Sequence, residues 1–284
     1  MAKKRTKTTP ESINRRKKAG RGEGSGIKFN PYTVVQDLHS RGRKSRVWGA
    51  LIKRIHHVLS DLELTVLLMI QLSPYVVDIQ EQWDLPLERT LAIAEKLGLD
   101  HPIDPETGYY PPITTDFLIT TDDGLRRTTW ARTVKSSKEL DDMRVLEKFE
   151  IERTYFAGNN IDWGIITEKQ LPEQLRINVE HLRAYLVLDR HNIDEQVVWQ
   201  SVDFLTPKVY EGMHLQAMAR LWEDEFEGVL GDGITAIKFL IINSAWPVDL
   251  KQKIRPNAPI PLIVQTDLSS ETLDDLTEGV EDVN

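Results

Sequence analysis

Apolar residues recur at helical spacing through HVLSDLELTVLLMIQLS, where Leu59, Leu62, Val66, Leu67 and Ile70 share a face, which predicts a helix over His57–Ser73. YVVDIQEQW (Tyr75–Trp83) reads as a strand, and LERTLAIAEKLGL (Leu87–Leu99) as a helix stopped by Gly98. HPIDPETGYYPP (His101–Pro112) is a loop. Two strands follow, Thr115–Thr120 and Thr128–Lys135, joined by the turn signal Asp122-Asp123-Gly124. Lys138–Asn160 predicts a long amphipathic helix with Leu140, Met143, Leu146 and Phe149 on its apolar stripe. IDWGIIT (Ile161–Thr167) predicts a buried strand. The order helix, strand, helix, hairpin, helix, strand is that of an α/β domain with a central mixed sheet over residues 27–170.

Beyond it the pattern turns mostly helical. LPEQLRINVEHLRAYLVL (Leu171–Leu188) reads as a helix leading into a second domain over 171–265. IDEQVVWQSVDFL, VYEGMHLQAMARLWEDEF and DGITAIKFLIINSAW follow, then the Pro-broken extended piece RPNAPIPLIVQ (Arg255–Gln265). Helices with a short extended return fit a winged helix, as they fit other small helical domains.

Charge changes this picture at both ends. Residues 1–54 hold 16 Lys/Arg against 3 acids, and the remainder 20 against 41, so the net −8 conceals a strongly basic leading segment. Residues 1–26, rich in Lys, Arg, Gly and Ser, read as a disordered basic arm. The basic run continues through SRGRKSR (Ser40–Arg46) beside Trp48, which predicts contact with nucleic-acid phosphates by Arg15, Arg16, Lys17, Lys18, Arg41, Arg43, Lys44 and Arg46. Thr266–Asn284 carries seven acids and no Lys or Arg, and reads as an acidic tail. The chain has no cysteine, which excludes disulfides and thiolate metal sites. No secretory signal and no apolar run near the ~20 residues of a membrane span are visible, so a soluble cytoplasmic bacterial protein is expected.

The hairpin carries the candidate chemistry. Asp116 near the start of one strand and Lys135 at the end of the other are depleted strand residues that a hairpin brings together. A plain two-residue Asp-Gly turn would set Asp116 opposite Ala131; bringing it opposite Thr133 or Lys135 requires a turn centred beyond Gly124. A carboxylate beside a lysine suits phosphodiester hydrolysis, where Mg²⁺ takes carboxylate oxygens and a cation stabilises developing charge. Glu63 is the third candidate, although Ser60-Asp61-Leu62-Glu63 is also a capping-box pattern in which Glu63 serves the helix end. His56-His57 has no third ligand at zinc spacing and reads as packing or phosphate contact. Gly20–Gly26 lacks the Lys-Ser/Thr pair of a nucleotide loop, so ATP binding by this chain is not expected.

RIHHVLSDLEL (Arg54–Leu64), VVDIQEQW (Val76–Trp83), TTDFLI (Thr114–Ile119), TVK (Thr133–Lys135) and LEKFEIERTYF (Leu146–Phe156) together resemble the TnsA family, endonuclease subunits of heteromeric cut-and-paste transposases. The resemblance runs through most of residues 10–185 and is faint beyond about residue 190. It implies a restriction-endonuclease-like PD-(D/E)xK domain followed by a winged-helix domain. It also implies cleavage of the 5′ strands at transposon ends in double-stranded DNA, beside a recombinase subunit, TnsB, and an AAA+ ATPase, TnsC. Carried over by motif, Glu63 and Asp116 are metal ligands, with one or two Mg²⁺ (or Mn²⁺) also held by the Val134 carbonyl. Lys135 is the site lysine, and Glu152 lies at its periphery. One position departs: the family carries Gln, and the wider superfamily Asp or Glu, where this chain has Thr133. A threonine hydroxyl adds no charge, so metal binding is expected to lean on Glu63, Asp116 and Val134. Two rivals stand beside this expectation, a stand-alone nuclease of the same fold (resolvase or restriction type) and a non-catalytic DNA-binding adaptor that recruits the ATPase.

Overall fold

A computed structural model describes residues 7–37, 43–49, 51–71, 73, 75–188, 191 and 193–263. Arg41 and the acidic tail predicted over 266–284 lie outside the described residues. The described residues form two compact units, one of 7–46 with 51–170, the other of 47–49 with 171–263.

The first unit opens with helix α1 (Pro10–Lys18), which corrects the expectation of disorder for residues 7–26. Thr9 and Ser12 form a reciprocal capping box and Pro10 occupies the first turn, so local chemistry starts this helix despite its charge. Arg16 then sits over the Tyr32 ring at 5.1 Å, and Arg21 ion-pairs with Asp37, tying the segment down. Next along the chain come β1 (Ser45–Gly49), whose last three residues belong to the second unit, and β2 (Arg54–Val58) of the first. Helix α2 runs Asp61–Gln71, so the helix predicted from His57 begins four residues later, at the Ser60 cap. His56 and His57 therefore lie on a strand.

The central sheet contains β3 (Val76–Asp84), β4 (Thr114–Asp122), β5 (Arg127–Val134) and β6 (Asp162–Ile166) in the spatial order β3-β4-β5-β6. The first three are antiparallel and β6 runs parallel to β5, which makes the sheet mixed and the domain α/β. Parallel neighbours need a crossover, here α4 (Met143–Ala157) after a 3-10 turn at Ser137–Asp141. Helix α3 (Leu87–Leu97) ends on Gly98, whose φ of +67° closes the helix in the left-handed conformation. Leu85, Ala94, Ile113, Ala131, Ile151, Tyr155 and Phe156 form a core between α3, α4 and the sheet.

One prediction about these elements is corrected, and the hairpin register takes the wider of the two turns weighed from the sequence. The α4 stripe that faces inward contains Phe149, Ile151, Glu152, Tyr155 and Phe156, while Met143 is 67% exposed. The aromatic partners decide this: Trp83 packs on Tyr155 and Phe156, and Trp163 on Phe149. The hairpin register pairs Phe117 with Arg132 and Asp122 with Arg127, so the loop is Asp123–Arg126 and its centre lies just beyond Gly124.

The second unit contains α5 (Glu173–Leu182), α6 (Glu195–Gln200), α7 (Val202–Tyr210), α8 (Leu215–Glu225) and α9 (Asp232–Ile242). The helix predicted through VYEGMHLQ is broken at Gly212, φ +75°. Eight of the eleven α9 residues are buried, and α8 packs close against it: a Cβ on Gly233 would lie 1.9 Å from the Ala219 carbonyl oxygen. Among the described residues the extended return makes only isolated bridges, Val248 with Leu262 and His214 with Pro259.

Candidate active site

A cleft of about 1010 Å³ opens in the first unit, and Glu63, Asp116, Thr133, Val134, Lys135 and Lys148 all line it. Three side chains remote in sequence thus line one cleft: Glu63 from the first turn of α2, Asp116 from β4, and Lys135 just past β5. The ladder pairing β4 with β5 ends at Phe117–Arg132, and beyond it the Asp116 carboxylate reaches across. Its Oδ2 accepts the Val134 N–H at 2.7 Å, in place of a strand-to-strand bond.

Glu63 serves two purposes at once. Its backbone N–H donates to Ser60 Oγ at 3.1 Å, and its Oε2 accepts the Leu59 N–H at 2.8 Å, so it caps α2. It also faces Asp116, because one buried amide touches both acids. Gln82 Nε2 donates to Asp116 Oδ1 at 3.0 Å and lies 3.4 Å from Glu63 Oε2. The capping and site readings of Glu63 are therefore compatible.

Burial and the neighbouring Asp116 charge push the Glu63 carboxyl up to about 8. Asp116 is raised as well: desolvation outweighs the Lys148 charge and the Val134 N–H that favour its ionised form. Two carboxylates crowded out of water resist ionising together. The sign of the consequence is definite. Folded Glu63 keeps a proton that the unfolded chain releases above its ordinary value of 4.5. Metal-free protein is therefore expected to lose stability as pH rises from about 5 to about 8, by on the order of 3 kcal/mol. Urea midpoints in EDTA across that range check this, and a flat profile would contradict it.

Thr133 is buried and its hydroxyl is fully used. It donates to Glu152 Oε2 at 2.7 Å, lies 3.2 Å from Thr115 Oγ1 and accepts from the Trp163 indole at 3.3 Å. Glu152 is 0% exposed and pairs with Lys148 Nζ at 2.9 Å, which places it behind Thr133. Burial alone would lower the Lys148 ammonium, but the Glu152 and Asp116 carboxylates outweigh it and hold it above the usual lysine range. Lys135 pairs with Glu139 at 2.9 Å and keeps about a third of its side chain in solvent.

Gln82 and Lys148 were not predicted from the sequence. Gln82 interrupts the β3–β4 ladder between Glu81–Phe117 and Trp83–Thr115, with φ +51°, which no alternation pattern reveals. Lys148 sits two residues into the EKFEIE run and reads as a solvated face until Glu152 is known to be buried. Among the described residues no three His, Asp or Glu side chains cluster as a metal site. The two carboxylates joined by the Gln82 amide fit Mg²⁺, since that ion usually takes one or two carboxylates and completes its shell with water and phosphate.

The basic residues lie apart from this cleft. Arg15, Lys17 and Lys18 are exposed on α1, and Arg16 is half-buried. Arg43 pairs with Asp61 at 2.6 Å, joining the basic segment to the start of α2; Lys44 is half-buried and Arg46 exposed. His56 is buried against Glu81 at 2.8 Å, and His57 accepts the Val35 N–H, so both are packing residues.

A model of the family described as "TnsA-like endonuclease N terminal" matches residues 73–168, a span that holds Gln82, Asp116, Thr133–Lys135, Lys148 and Glu152. The chain is also similar to the Transposon Tn7 transposition protein TnsA of Escherichia coli, 38% identical over 182 residues. That alignment covers 64% of this chain and 66% of the relative.

Proposed function

We propose, from the premise that this chain belongs to the TnsA-like endonuclease family, that it is a divalent-metal-dependent DNA endonuclease of PD-(D/E)xK type. It acts within a cut-and-paste transposase, beside a recombinase subunit and an AAA+ ATPase, and cuts the 5′ strands at the element's ends. The observation that carries the reading is the meeting of Glu63 and Asp116 on one amide in a cleft that also presents two lysines.

Glu63, Asp116 and the Val134 carbonyl would hold Mg²⁺. When bound, that ion would supply neutralisation of phosphoryl charge and a bound water more acidic than bulk water. The chain's own groups do the rest. The Val134 N–H fixes the Asp116 rotamer, and the sheet edge fixes Val134 through the parallel β6 strand. Lys135, held only by a surface pair that contributes little, turns to a phosphate oxygen at small cost and stabilises charge developing on it. Thr133 and Glu152 support the floor of the site and hold Lys148 toward Asp116.

The basic segment tracks the DNA backbone. Replacing Arg15, Lys17 and Lys18 together with Gln is expected to weaken duplex binding and reduce the slope of log K against log salt by about 2–3. A salt titration with an unchanged slope would make α1 a spacer.

Supercoiled donor DNA incubated with Mg²⁺, with and without the recombinase subunit, tests the whole assignment. Nicks at the 5′ ends that require the recombinase support it. Nicking by this chain alone favours the stand-alone nuclease, and intact 5′ strands in the complete reaction favour the adaptor.

A further inference from the structure

We infer that Gln82 is a positioning residue of the metal site: its side-chain amide bridges the Glu63 and Asp116 carboxylates and holds them as a pair ready for a divalent ion. This inference rests on the metal-site reading above and goes beyond it, because nothing in the motif pattern assigns Gln82 a role.

Four observations carry it. The side chain is 3% exposed, so water does not compete for its amide. Its nitrogen donates to Asp116 Oδ1 at 3.0 Å and approaches Glu63 Oε2 at 3.4 Å, while its oxygen accepts the Thr114 hydroxyl at 3.3 Å. Both ends of the amide are thus committed, which fixes its orientation. The backbone adopts φ +51°, a region that non-glycine residues seldom enter, and the Gln82 carbonyl is held there by the Tyr32 N–H at 3.2 Å. Such strain persists where the surrounding structure imposes it, and it clusters at working sites.

The physical role follows from charge. Once both are ionised, as a cation requires, two facing carboxylates repel and swing apart. A neutral double donor between them offsets that repulsion without occupying the space as a fixed positive charge would. Gln82 leaves both acids oriented and still able to accept a cation, as partners behind metal ligands generally do.

The test separates the side chain from its backbone. Gln82→Gly removes the amide but adopts a positive φ without strain, which offsets part of the cost of the lost hydrogen bonds, so the variant is expected to fold. Its affinity for Mn²⁺, measured by titration calorimetry, is expected to fall about 10-fold or more. Cleavage lost at low Mn²⁺ should return at high Mn²⁺, whereas Asp116→Ala should not be rescued. Gln82→Asn, which tolerates the same backbone and shortens the amide out of reach, gives the same comparison should the glycine variant fail to fold. Mn²⁺ binding by Gln82→Gly as tight as the parent's overturns the inference and leaves the metal site standing. A parent protein whose Mn²⁺ binding is unaffected by Asp116→Ala overturns both.

Discussion

Replacing Asp116 with Asn or Ala is expected to abolish 5′-strand cleavage in the reconstituted reaction, by about 10³-fold or more, while leaving the fold intact. The magnitude follows from the several kcal/mol of transition-state charge stabilisation that a positioned metal supplies, at tenfold per 1.36 kcal/mol. The preserved fold follows from the site's own electrostatics. Burial, with a smaller contribution from the Glu152 charge, raises Asp116, so its ionised form is a cost to the folded state. The Asn variant removes that cost and keeps an oxygen to accept the Val134 N–H. At pH 8 without metal it should therefore melt at or above the parent temperature. Loss of cleavage together with an unchanged or higher melting temperature is the signature of a working carboxylate. Cleavage retained at the parent rate would assign the 5′ cuts elsewhere.

The second large effect concerns Glu81, the residue before Gln82, and stability rather than cleavage. Its carboxylate is buried and receives both Arg54 guanidinium nitrogens, at 2.8 and 2.5 Å. It also contacts His56 Nδ1 at 2.8 Å and accepts the His57 N–H at 3.0 Å. Burial would raise this carboxyl, but the hydrogen bonds from Arg54 and His56 outweigh it and hold it down to about 2. Glu81→Ala leaves the Arg54 charge buried without its partner. We expect a loss of about 3–5 kcal/mol in urea unfolding, the usual cost of breaking a buried pair on one side. The linkage sign is opposite to that of Glu63. A depressed carboxyl stabilises the fold above its ordinary value of 4.5, and that contribution fades as pH falls toward 2. The parent should thus weaken in acid by more than the Ala variant does. A destabilisation below about 1 kcal/mol would mean that the pair is replaceable by water.

Much of this architecture is written in the sequence where periodicity is strong and local. β3, α3, the hairpin strands and β6 follow from apolar spacing and from Gly98. The hairpin register was left open because turn chemistry outranks the Asp-Gly signal. Asp122 accepts the Gly124 N–H at 2.9 Å, and Asp123 accepts those of Leu125 and Arg126 at 2.8 and 2.7 Å, which widens the loop to four residues. That widening brings the start of β4 level with Thr133 and Val134. On α4 two stripes fit the helical period, and only the tertiary partners Trp83 and Trp163 select between them. Helix α1 was hidden by composition, although Thr9-Pro10 with Ser12 is a legible start signal.

Three of the cleft's charged residues are legible in the sequence, and the contacts that join two of them are not. Glu63, Asp116 and Lys135 stand out as charged residues on otherwise apolar elements. Gln82 does not, since a glutamine in a strand reads as a solvent-facing position and its left-handed backbone leaves no trace in the alternation. The same holds for Thr133, whose hydroxyl looks free to serve a metal in sequence and is spent on Glu152 in the fold.

A divalent-cation site formed by Glu63 and Asp116 should be visible by anomalous diffraction from crystals soaked in Mn²⁺. The expected result is a peak in the cleft within about 2.3 Å of an oxygen from each carboxylate, absent in the Asp116→Ala protein. Mn²⁺ bound elsewhere on the chain, with these two side chains still sharing only the Gln82 amide, would contradict it.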